Sequence, residues 1–384
     1  MIAVLRLALV APVRATSALT RDRATAGTLL PMIRKSRISR SRAIPVPLLL
    51  AALLLGAQVA AASDSTPGGS ANSDFEIQQS AFTGLPQTIV ETCPDVESVV
   101  VVRGGQVLFE YYKSGTSQDT LRNTESVTKS ILSLLVGIAV DQGVISSLDQ
   151  PVAALLPAGT TTARELDRQP TIRHLLTMTG GYVAPGRVSG ANSDNAKYLA
   201  NRPMKAQPGV EFLYDNLAAN LLAIAVENAT VRGAADFAQQ DLFAPLGIDA
   251  FTWQKGPNGH NYGFGGVSLR TRDMAKLGQL MLQEGRWNDR QVVSKAYASE
   301  AVRRQTPDSQ PPYGYLWRVT PSASARQTFF ANGFGGQYIW VHPPLDLVVA
   351  TTAAATEASN ARRHAIKLIR ETIFPLVVNP RPAK

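Results

Sequence analysis

The chain has 384 residues, of which 45% are hydrophobic and 17% charged, an ordinary composition for a folded protein with a substantial core. The formal net charge is +9, but residues 1–62 alone contain nine Lys and Arg against one acidic residue. The remainder carries 29 basic and 28 acidic residues and is close to neutral. The net charge therefore gives no reason to infer nucleic-acid binding, and we expect no nucleic-acid partner.

Residues 1–62 have the parts of an export signal. The segment 34–42 is basic, 44–59 is apolar, and 60–62 is a run of small alanines typical of a cleavage site. We therefore predict export to the periplasm or secretion, with no stable membrane span after cleavage. An uncleaved anchor is the alternative, although the apolar run is short for a full span. Met32 directly precedes this unit and is predicted to be the true start.

A flexible linker is predicted at 63–84, which begins with a run rich in Ser, Gly, Asp and Asn, and the folded part is expected to start near Leu85. Two β-rich runs follow at 99–102 and 106–112, and the Arg-Gly-Gly between them is typical of a hairpin. Cys93 is the only cysteine, which excludes an internal disulfide and a cysteine-rich zinc site. We predict that Cys93 is an inert small residue.

The segment 124–143 predicts a buried helix, because apolar residues surround most of its circumference. Thr124 or Asn123 is expected to cap the start of this helix, and Gly143 is expected to end it.

Ser126 and Lys129 lie three residues apart in this helix, so the lysine ammonium can reach the serine hydroxyl. A serine nucleophile needs an adjacent base, and a lysine can serve when burial lowers its pKa. The alternative is a solvated lysine near a helix start. However, the chain contains no other S-x-x-K, and this one opens an apolar helix. We therefore predict catalysis by this pair.

The rest of the chain divides into a helical part and a β-rich part. Helices are predicted at 172–178, 217–228, 234–242 and 272–284. Short strands are predicted at 314–319, 328–331, 338–341 and 347–352, followed by a helix at 357–372. This order predicts an α+β fold: an antiparallel sheet from 85–125 and 312–384, flanked by helices, with a mainly helical domain, 126–311, inserted between them and the nucleophile at its start.

A hydrolase of the Ser-Lys type needs a second group that handles protons. Tyr214 belongs to a Tyr-Asp-Asn run between a Pro-Gly turn and the helix predicted at 217–228, a kind of connection that commonly carries function. The literal Ser-Asp-Asn at 193–195 is the alternative, but no apolar segments flank it. We favour Tyr214.

Such an enzyme also needs an oxyanion hole. The glycine-rich run 331–336 leaves a predicted strand, and its glycines would let the backbone approach a ligand closely. A tight hairpin without a catalytic role fits the same run. Lys-Ser-Gly at 113–115 is a further candidate, yet it precedes Ser126 and is typical of a plain turn.

Together these segments resemble the serine β-lactamase and penicillin-binding protein superfamily, and within it the class C-like branch that includes esterases, D-amino-acid peptidases and 6-aminohexanoate-dimer hydrolases. The resemblance covers roughly residues 99–372. It rests on six segments in order, at 126–143, 148–157, 172–181, 208–216, 243–248 and 333–343. The resemblance implies a β-lactamase-like α+β fold.

Carried over by position, the resemblance implies that Ser126 is acylated, that Lys129 accepts its proton, and that Tyr214 passes a proton to the leaving group. Asn216 would hydrogen-bond the substrate. The oxyanion hole would use the backbone N–H groups of Ser126 and Phe334, within the stretch Gly333, Phe334 and Gly335.

One position departs from this pattern. Relatives that act on penicillins or peptidoglycan stem peptides carry Lys or His where this chain has Ala331. A charge-assisted hydrogen bond contributes roughly 1.5 to 3 kcal/mol. We therefore expect an esterase or amidase for small ester, amide or peptide-like substrates that lack the matching carboxylate. The alternatives are a β-lactamase or D-Ala-D-Ala-type peptidase, and a non-catalytic penicillin-binding or envelope interaction module.

Other mechanisms find less support. A G-x-S-x-G motif does not occur, which disfavours a Ser-His-Asp hydrolase. No two histidines lie close together, so neither a metal site nor a cofactor is expected. We expect structural roles for all four histidines, which are His174, His260, His342 and His364.

Overall fold

The computed structural model describes residues 76, 78–160, 169–185, 190–321 and 327–380. The predicted leader, 1–62, and most of the predicted linker lie outside these residues. In the part of the chain that the structure describes, no helix is both long enough and apolar enough to cross a membrane.

Eleven strands occur in the described residues. In chain order they are β1 Val96–Arg103, β2 Gln106–Tyr112, β3 Arg122–Asn123, β4 Thr252–Trp253, β5 Val267–Leu269, β6 Arg286–Trp287, β7 Arg290–Gln291, β8 Arg318–Val319, β9 Phe329–Gly333, β10 Gln337–His342 and β11 Leu347–Ala353. Six of them form one antiparallel sheet in the order β2-β1-β11-β10-β9-β8. The pairing of β1 with β11 joins the two ends of the chain, as the sequence predicts.

The α-helices of the described residues are mostly short. In chain order they are α1 Leu85–Thr92, α2 Val127–Asp141, α3 Ile172–Leu176, α4 Ala196–Ala200, α5 Asn216–Thr230, α6 Ala234–Ala238, α7 Thr271–Leu282, α8 Lys295–Ala301, α9 Glu357–Arg362, α10 His364–Lys367 and α11 Phe374–Val378. The predicted α+β architecture, an antiparallel sheet flanked by helices, is confirmed.

The sheet separates two hydrophobic cores, because successive residues of a strand point to opposite faces. On β1, Val99 and Val101 pack with α1 and the C-terminal helices. Val100 and Val102 pack on the other face with α2, α5 and α7. Strand β11 is buried along its whole length, which places it at the centre of the sheet. Helix α2, which carries the predicted nucleophile, therefore lies within the larger core.

Helix α7 packs directly on the sheet. A Cβ added at Gly278 would lie 2.5 Å from a Val348 methyl group and 2.9 Å from one of Ile339, so the glycine permits this close approach. The sequence assigns this helix to the inserted domain, 126–311, but its contacts place it in the layer that covers the sheet. The domain division as a whole stays a prediction.

Three predicted boundaries differ from the structure. Phe82, in the predicted linker, is 2% exposed and stacks on Phe109, so the packed part begins before Leu85. The strand predicted at 314–319 is reduced to β8, because Leu316 adopts a left-handed conformation with φ 58°. The single helix predicted at 357–372 is broken in the same way at Arg363, where φ is 59°.

Candidate active site

The start of α2 sets the position of the serine. The helix begins at Val127, and Ser126 is the residue before it, so the predicted capping by Thr124 or Asn123 is wrong. The Thr124 hydroxyl instead donates to the Val267 carbonyl at 2.9 Å. The Ser126 hydroxyl makes no capping hydrogen bond, although serine commonly does so at this position. The hydroxyl is therefore free for other partners.

Lys129 supplies one of those partners. Its Nζ lies 2.9 Å from the Ser126 Oγ and 2.9 Å from the Phe264 carbonyl oxygen, and it donates to both. The side chain is 1% exposed. Burial, helped by the charge of nearby Arg318, lowers the pKa of Lys129 from 10.5 to about 7. The amine can thus be neutral near neutral pH, as a proton acceptor must be.

A side chain on α5 holds the loop that carries Phe264. The Asn220 Oδ1 accepts from the Gly263 N–H at 2.8 Å and from the Phe264 N–H at 3.3 Å. A Cβ at Gly263 would lie 2.1 Å from the Ala219 carbonyl oxygen, so only glycine allows the loop to sit this close to the helix. This loop was not predicted from the sequence, although its glycine-rich Gly-Phe-Gly-Gly pattern could have indicated it.

Tyr214 approaches the same pair from the connection before α5. The Lys129 Nζ, which contacts the Ser126 Oγ at 2.9 Å, lies 4.8 Å from the centroid of the tyrosine ring. The residue is 37% exposed, so one side of it faces solvent. Burial of the remainder raises the pKa of Tyr214, while Ser126 and Arg318 act in the opposite direction. The structure thus brings the three predicted catalytic side chains together.

The residue after Tyr214 is fixed by a buried ion pair. Asp215 caps α5 by accepting from two backbone N–H groups through its Oδ1. Its Oδ2 accepts from Arg202 at 2.6 Å, and both side chains are 4% exposed. The Arg202 guanidinium lies 4.5 Å from the centroid of the Tyr182 ring. This cluster immobilises the chain next to Tyr214.

The turn before Ser126 meets the end of β9. Glu125 has φ 50°, an unusual value for a residue other than glycine, and Asn123 supports it through hydrogen bonds of 2.9 and 2.8 Å. A Cβ at Gly333 would lie 2.4 Å from the Thr124 carbonyl oxygen and 2.8 Å from the Glu125 Cβ. The absence of a side chain at Gly333 thus lets β9 touch the backbone that leads to Ser126.

The two predicted oxyanion donors are available in this arrangement. Within the described residues, neither the Ser126 N–H nor the Phe334 N–H donates to a protein acceptor. Gly335, which follows, has φ 85°, and a Cβ there would lie 2.5 Å from the Ala354 carbonyl oxygen. The assignment of Phe334 and Gly335 to an oxyanion hole stays a prediction.

Asn216, the predicted substrate-binding residue, follows Tyr214 by two positions in the chain. It is exposed at the first position of α5 and makes no hydrogen bond to Ser126, Lys129 or Tyr214 within the described residues. Its proposed contact with substrate stays a prediction.

The rejected candidates take part in other contacts. In 193–195, Asp194 is buried and accepts from the Asn258 N–H at 2.9 Å, and Asn195 caps α4. In 113–115, the Lys113 Nζ donates to the Pro94 carbonyl oxygen at 2.8 Å, at the end of the first hairpin. Structural contacts therefore account for the residues of both runs without a catalytic role.

Arg318 on β8 is a site residue that sequence reasoning missed. Its guanidinium Cζ lies 5.4 Å from the ring centroid of Tyr214, and its charge contributes to the lowered pKa of Lys129. Ala331, on the neighbouring strand, is the position from which the sequence predicts that a cation is absent. That conclusion was incomplete, because the charge comes from a different strand. Nothing in the local sequence marked Arg318, since only the pairing of β8 with β9 brings it here.

The histidines lie in other contacts. None of the four hydrogen-bonds to Ser126 in the described residues, and each has a partner elsewhere, such as Glu227 for His260 and Asp95 for His364. Across the residues that the structure describes, no three His, Cys, Asp or Glu side chains form a group that could hold a metal ion. The catalytic roles of Ser126, Lys129 and Tyr214 stay a prediction.

Comparison with known families agrees with this geometry. The profile of the family named Beta-lactamase matches residues 91–373, which include every element described above from β1 to α10. The chain belongs to the β-lactamase family. Because it belongs to this family, the chain is a serine hydrolase. The cluster of Ser126, Lys129 and Tyr214 lies at the junction of the sheet and the helices.

Two curated relatives of this family member are named as a hydrolase and as a carboxypeptidase/endopeptidase. The 6-aminohexanoate-dimer hydrolase of Paenarthrobacter ureafaciens is 26% identical over 314 residues, which cover 74% of this chain and 78% of that enzyme. The D-alanyl-D-alanine-carboxypeptidase/endopeptidase AmpH of Escherichia coli K12 is 27% identical over 177 residues, which cover 42% of this chain and 46% of AmpH.

Solved structures show the same fold. A protein of Bacteroides dorei, described as a candidate β-lactamase, superposes with a TM-score of 0.66 at 19% identity, covering 78% of this chain and 99% of its own. A candidate 6-aminohexanoate-dimer hydrolase of Bacillus anthracis superposes with a TM-score of 0.62 at 18% identity, covering 77% and 83%. At these identities the likeness establishes the fold.

Proposed function

We propose that the protein hydrolyses carboxylic esters or linear amides through an acyl-enzyme on Ser126. The observation that carries this proposal is the 2.9 Å contact between the Ser126 Oγ and a buried Lys129 amine whose pKa is lowered to about 7. The amide-hydrolysing relatives support a substrate with an acyl group and an amine or alcohol leaving group. A small ester, amide or peptide-like molecule is the substrate class.

The first half of the reaction forms the acyl-enzyme. The Ser126 Oγ attacks the substrate carbonyl carbon, and its proton passes to the neutral Lys129 amine. The backbone N–H groups of Ser126 and Phe334 donate to the oxyanion that forms. Tyr214 then gives its phenol proton to the departing amine or alkoxide, and the C–N or C–O bond breaks. The Lys129 ammonium returns a proton to the phenolate.

The second half releases the acid. A water molecule attacks the acyl carbon, and the same bases take its proton. The bond to the Ser126 Oγ breaks, and the Oγ regains a proton, so that the enzyme returns to its starting state. The reaction therefore consumes one water molecule per ester or amide bond.

Hydrolysis of a short-chain p-nitrophenyl ester tests the proposal. We expect the Ser126→Ala variant to lose more than about a thousandfold in kcat, because the nucleophile is removed. Val127→Ala, at the adjacent buried position, is the matched control and should retain activity within about tenfold. A parallel panel of linear amides and a penicillin would rank the substrate classes.

Two outcomes of this experiment would count against the proposal. Equal activity in the parent protein and in Ser126→Ala would mean that another residue is the nucleophile. Turnover of the penicillin that exceeds turnover of every ester and linear amide would make β-lactam hydrolysis the function of this site.

A further inference from the structure

Arg318 is a partly buried arginine that lacks an acidic partner. Its Nε donates to the Asn332 Oδ1, and in the described part of the chain it forms no ion pair with a carboxylate. Buried Arg202, by contrast, is paired with Asp215 at 2.6 Å. A half-buried guanidinium without a counter-ion is unusual, because such charges are normally paired.

The contacts of Arg318 leave one edge of the guanidinium open. Its Cζ lies 5.4 Å from the ring centroid of Tyr214 and 5.8 Å from that of Tyr313, so aromatic rings flank the cation. Only the Nε has a protein acceptor within the described residues, which leaves the two terminal nitrogens available. These two nitrogens form the planar fork that matches a carboxylate.

The position of Arg318 relative to the nucleophile indicates which part of a substrate it meets. The Lys129 Nζ lies 2.9 Å from the Ser126 Oγ and 4.8 Å from the ring centroid of Tyr214, and Arg318 lies against the same tyrosine ring. In the proposed reaction Tyr214 gives its proton to the leaving group. Arg318 therefore lies next to the residue that, in the proposed reaction, serves the leaving group.

We propose, on the basis of the function proposed above, that Arg318 binds a carboxylate on the leaving group of the substrate. The substrate class then narrows to esters or amides whose alcohol or amine portion carries a carboxylate. This revises the expectation drawn from Ala331, because the cation is supplied by β8 instead of β9. Arg318 is thus a specificity-determining residue.

A matched pair of esters tests this inference. The anionic substrate is 3-(butyryloxy)benzoate, and the neutral one is its methyl ester, so both share the acyl group and the scissile bond. We expect the ratio of kcat/KM, anionic over neutral, to fall roughly tenfold to a hundredfold in Arg318→Gln. The ratio cancels any effect of the substitution on Ser126 itself.

Two further variants distinguish an effect of the positive charge of Arg318 from an effect on the fold. Arg318→Lys keeps the charge and should recover part of the ratio, which a merely structural role would not produce. Arg290→Gln, on the separate ribbon of β6 and β7, makes the same change in net charge and should leave the ratio at the parental value.

Binding of the product 3-hydroxybenzoate, measured by titration calorimetry, distinguishes the two proposals. If neither ester is hydrolysed but 3-hydroxybenzoate binds the parent protein and not Arg318→Gln, the anion site stands and the hydrolase proposal fails. If both esters are hydrolysed and the ratio is the same in the parent protein and in Arg318→Gln, the anion site is overturned and the hydrolase proposal stands.

Discussion

At the scale of single residues, the site depends on one desolvated amine. Lys129 is 1% exposed, and its contacts are the Ser126 hydroxyl, the Phe264 carbonyl and the ring of Tyr214. Since none of these contacts carries a negative charge, burial dominates, and the protonated form of Lys129 is disfavoured. A lysine in this environment serves as a base near neutral pH.

This environment predicts the pH dependence of activity. Lys129 must be neutral to accept a proton, and the neutral fraction grows as pH rises through its lowered pKa. We expect kcat/KM for a neutral ester to rise to a plateau with a midpoint at about pH 7. The measurement is a pH profile of kcat/KM with p-nitrophenyl butyrate, corrected for spontaneous hydrolysis.

Arg318→Gln is the informative comparison for that profile. Removing a nearby positive charge makes protonation of Lys129 easier, so the pKa of Lys129 rises and the midpoint moves to higher pH. Arg290→Gln should leave the midpoint in place. A parental profile that is flat between pH 6 and pH 9, or a midpoint unaltered by Arg318→Gln, would contradict this account of Lys129.

At the scale of elements, the site forms where β9 meets the start of α2. Gly333 makes this contact possible, since any side chain there would collide with the Thr124 carbonyl. The same element pairing brings Phe334 next to the turn before Ser126. The end of β9 and the start of α2 therefore act as one unit, although Ser126 and Gly333 are 207 positions apart in the sequence.

Substitution of Gly333 by alanine tests this contact. We expect Gly333→Ala to lower the free energy of unfolding by about 1 to 3 kcal/mol, because its Cβ would overlap backbone atoms. The displaced strand end should also reduce kcat by about a hundredfold. Urea unfolding and ester kinetics provide the two measurements.

Gly84→Ala is the matched control for this prediction. Gly84 has φ −85°, and an added Cβ would meet no atom within 4 Å, so stability should change by less than about 0.5 kcal/mol. An unchanged kcat in Gly333→Ala would show that β9 does not shape the site.

The elements also show what sequence patterns can predict. The positions of β1, β9, β10 and β11 were predictable from β-rich composition and from the alternation of side chains. Both features belong to the residues of the strand itself and can therefore be seen in the local sequence. Breaks at Leu316 and Arg363 were not predictable, since neither residue favours the left-handed conformation and only tertiary contacts impose it. Spacing within one helix revealed Ser126 and Lys129.

Other parts of the site depend on contacts between distant segments. The Asn220 side chain fixes the loop at 263–264, and the Asp215–Arg202 pair fixes the chain next to Tyr214. Arg318 reaches Tyr214 only after β8 joins the sheet. Such contacts between distant segments cannot be predicted from the local sequence, and therefore Arg318 was not identified as a site residue.

At the scale of the whole molecule, the excess positive charge lies in the leader. Residues 1–62 account for eight of the nine formal charges, and the rest of the chain is nearly neutral. We propose that the leader directs export and is then removed. The enzyme would accordingly act in the periplasm or outside the cell.

Intact-mass measurement of the protein from fractionated cells tests export. We expect the main species in the periplasm or medium to begin close to Ser63, after the three alanines. A variant with 44–59 deleted is the control and should remain in the cytoplasm at full mass. Recovery of the parent protein in the membrane fraction with its leader intact would instead identify an uncleaved anchor.

Acylation requires that Ser126 be the activated nucleophile of the protein, and covalent labelling of that serine tests this requirement. The protein is treated with a fluorophosphonate, which forms a stable adduct with activated serines, and is then digested and mapped by mass spectrometry. We expect a single adduct on Ser126, no adduct in Ser126→Ala, and slower labelling in Lys129→Ala. An adduct on a different residue of the parent protein, with Ser126 unmodified, would contradict this expectation.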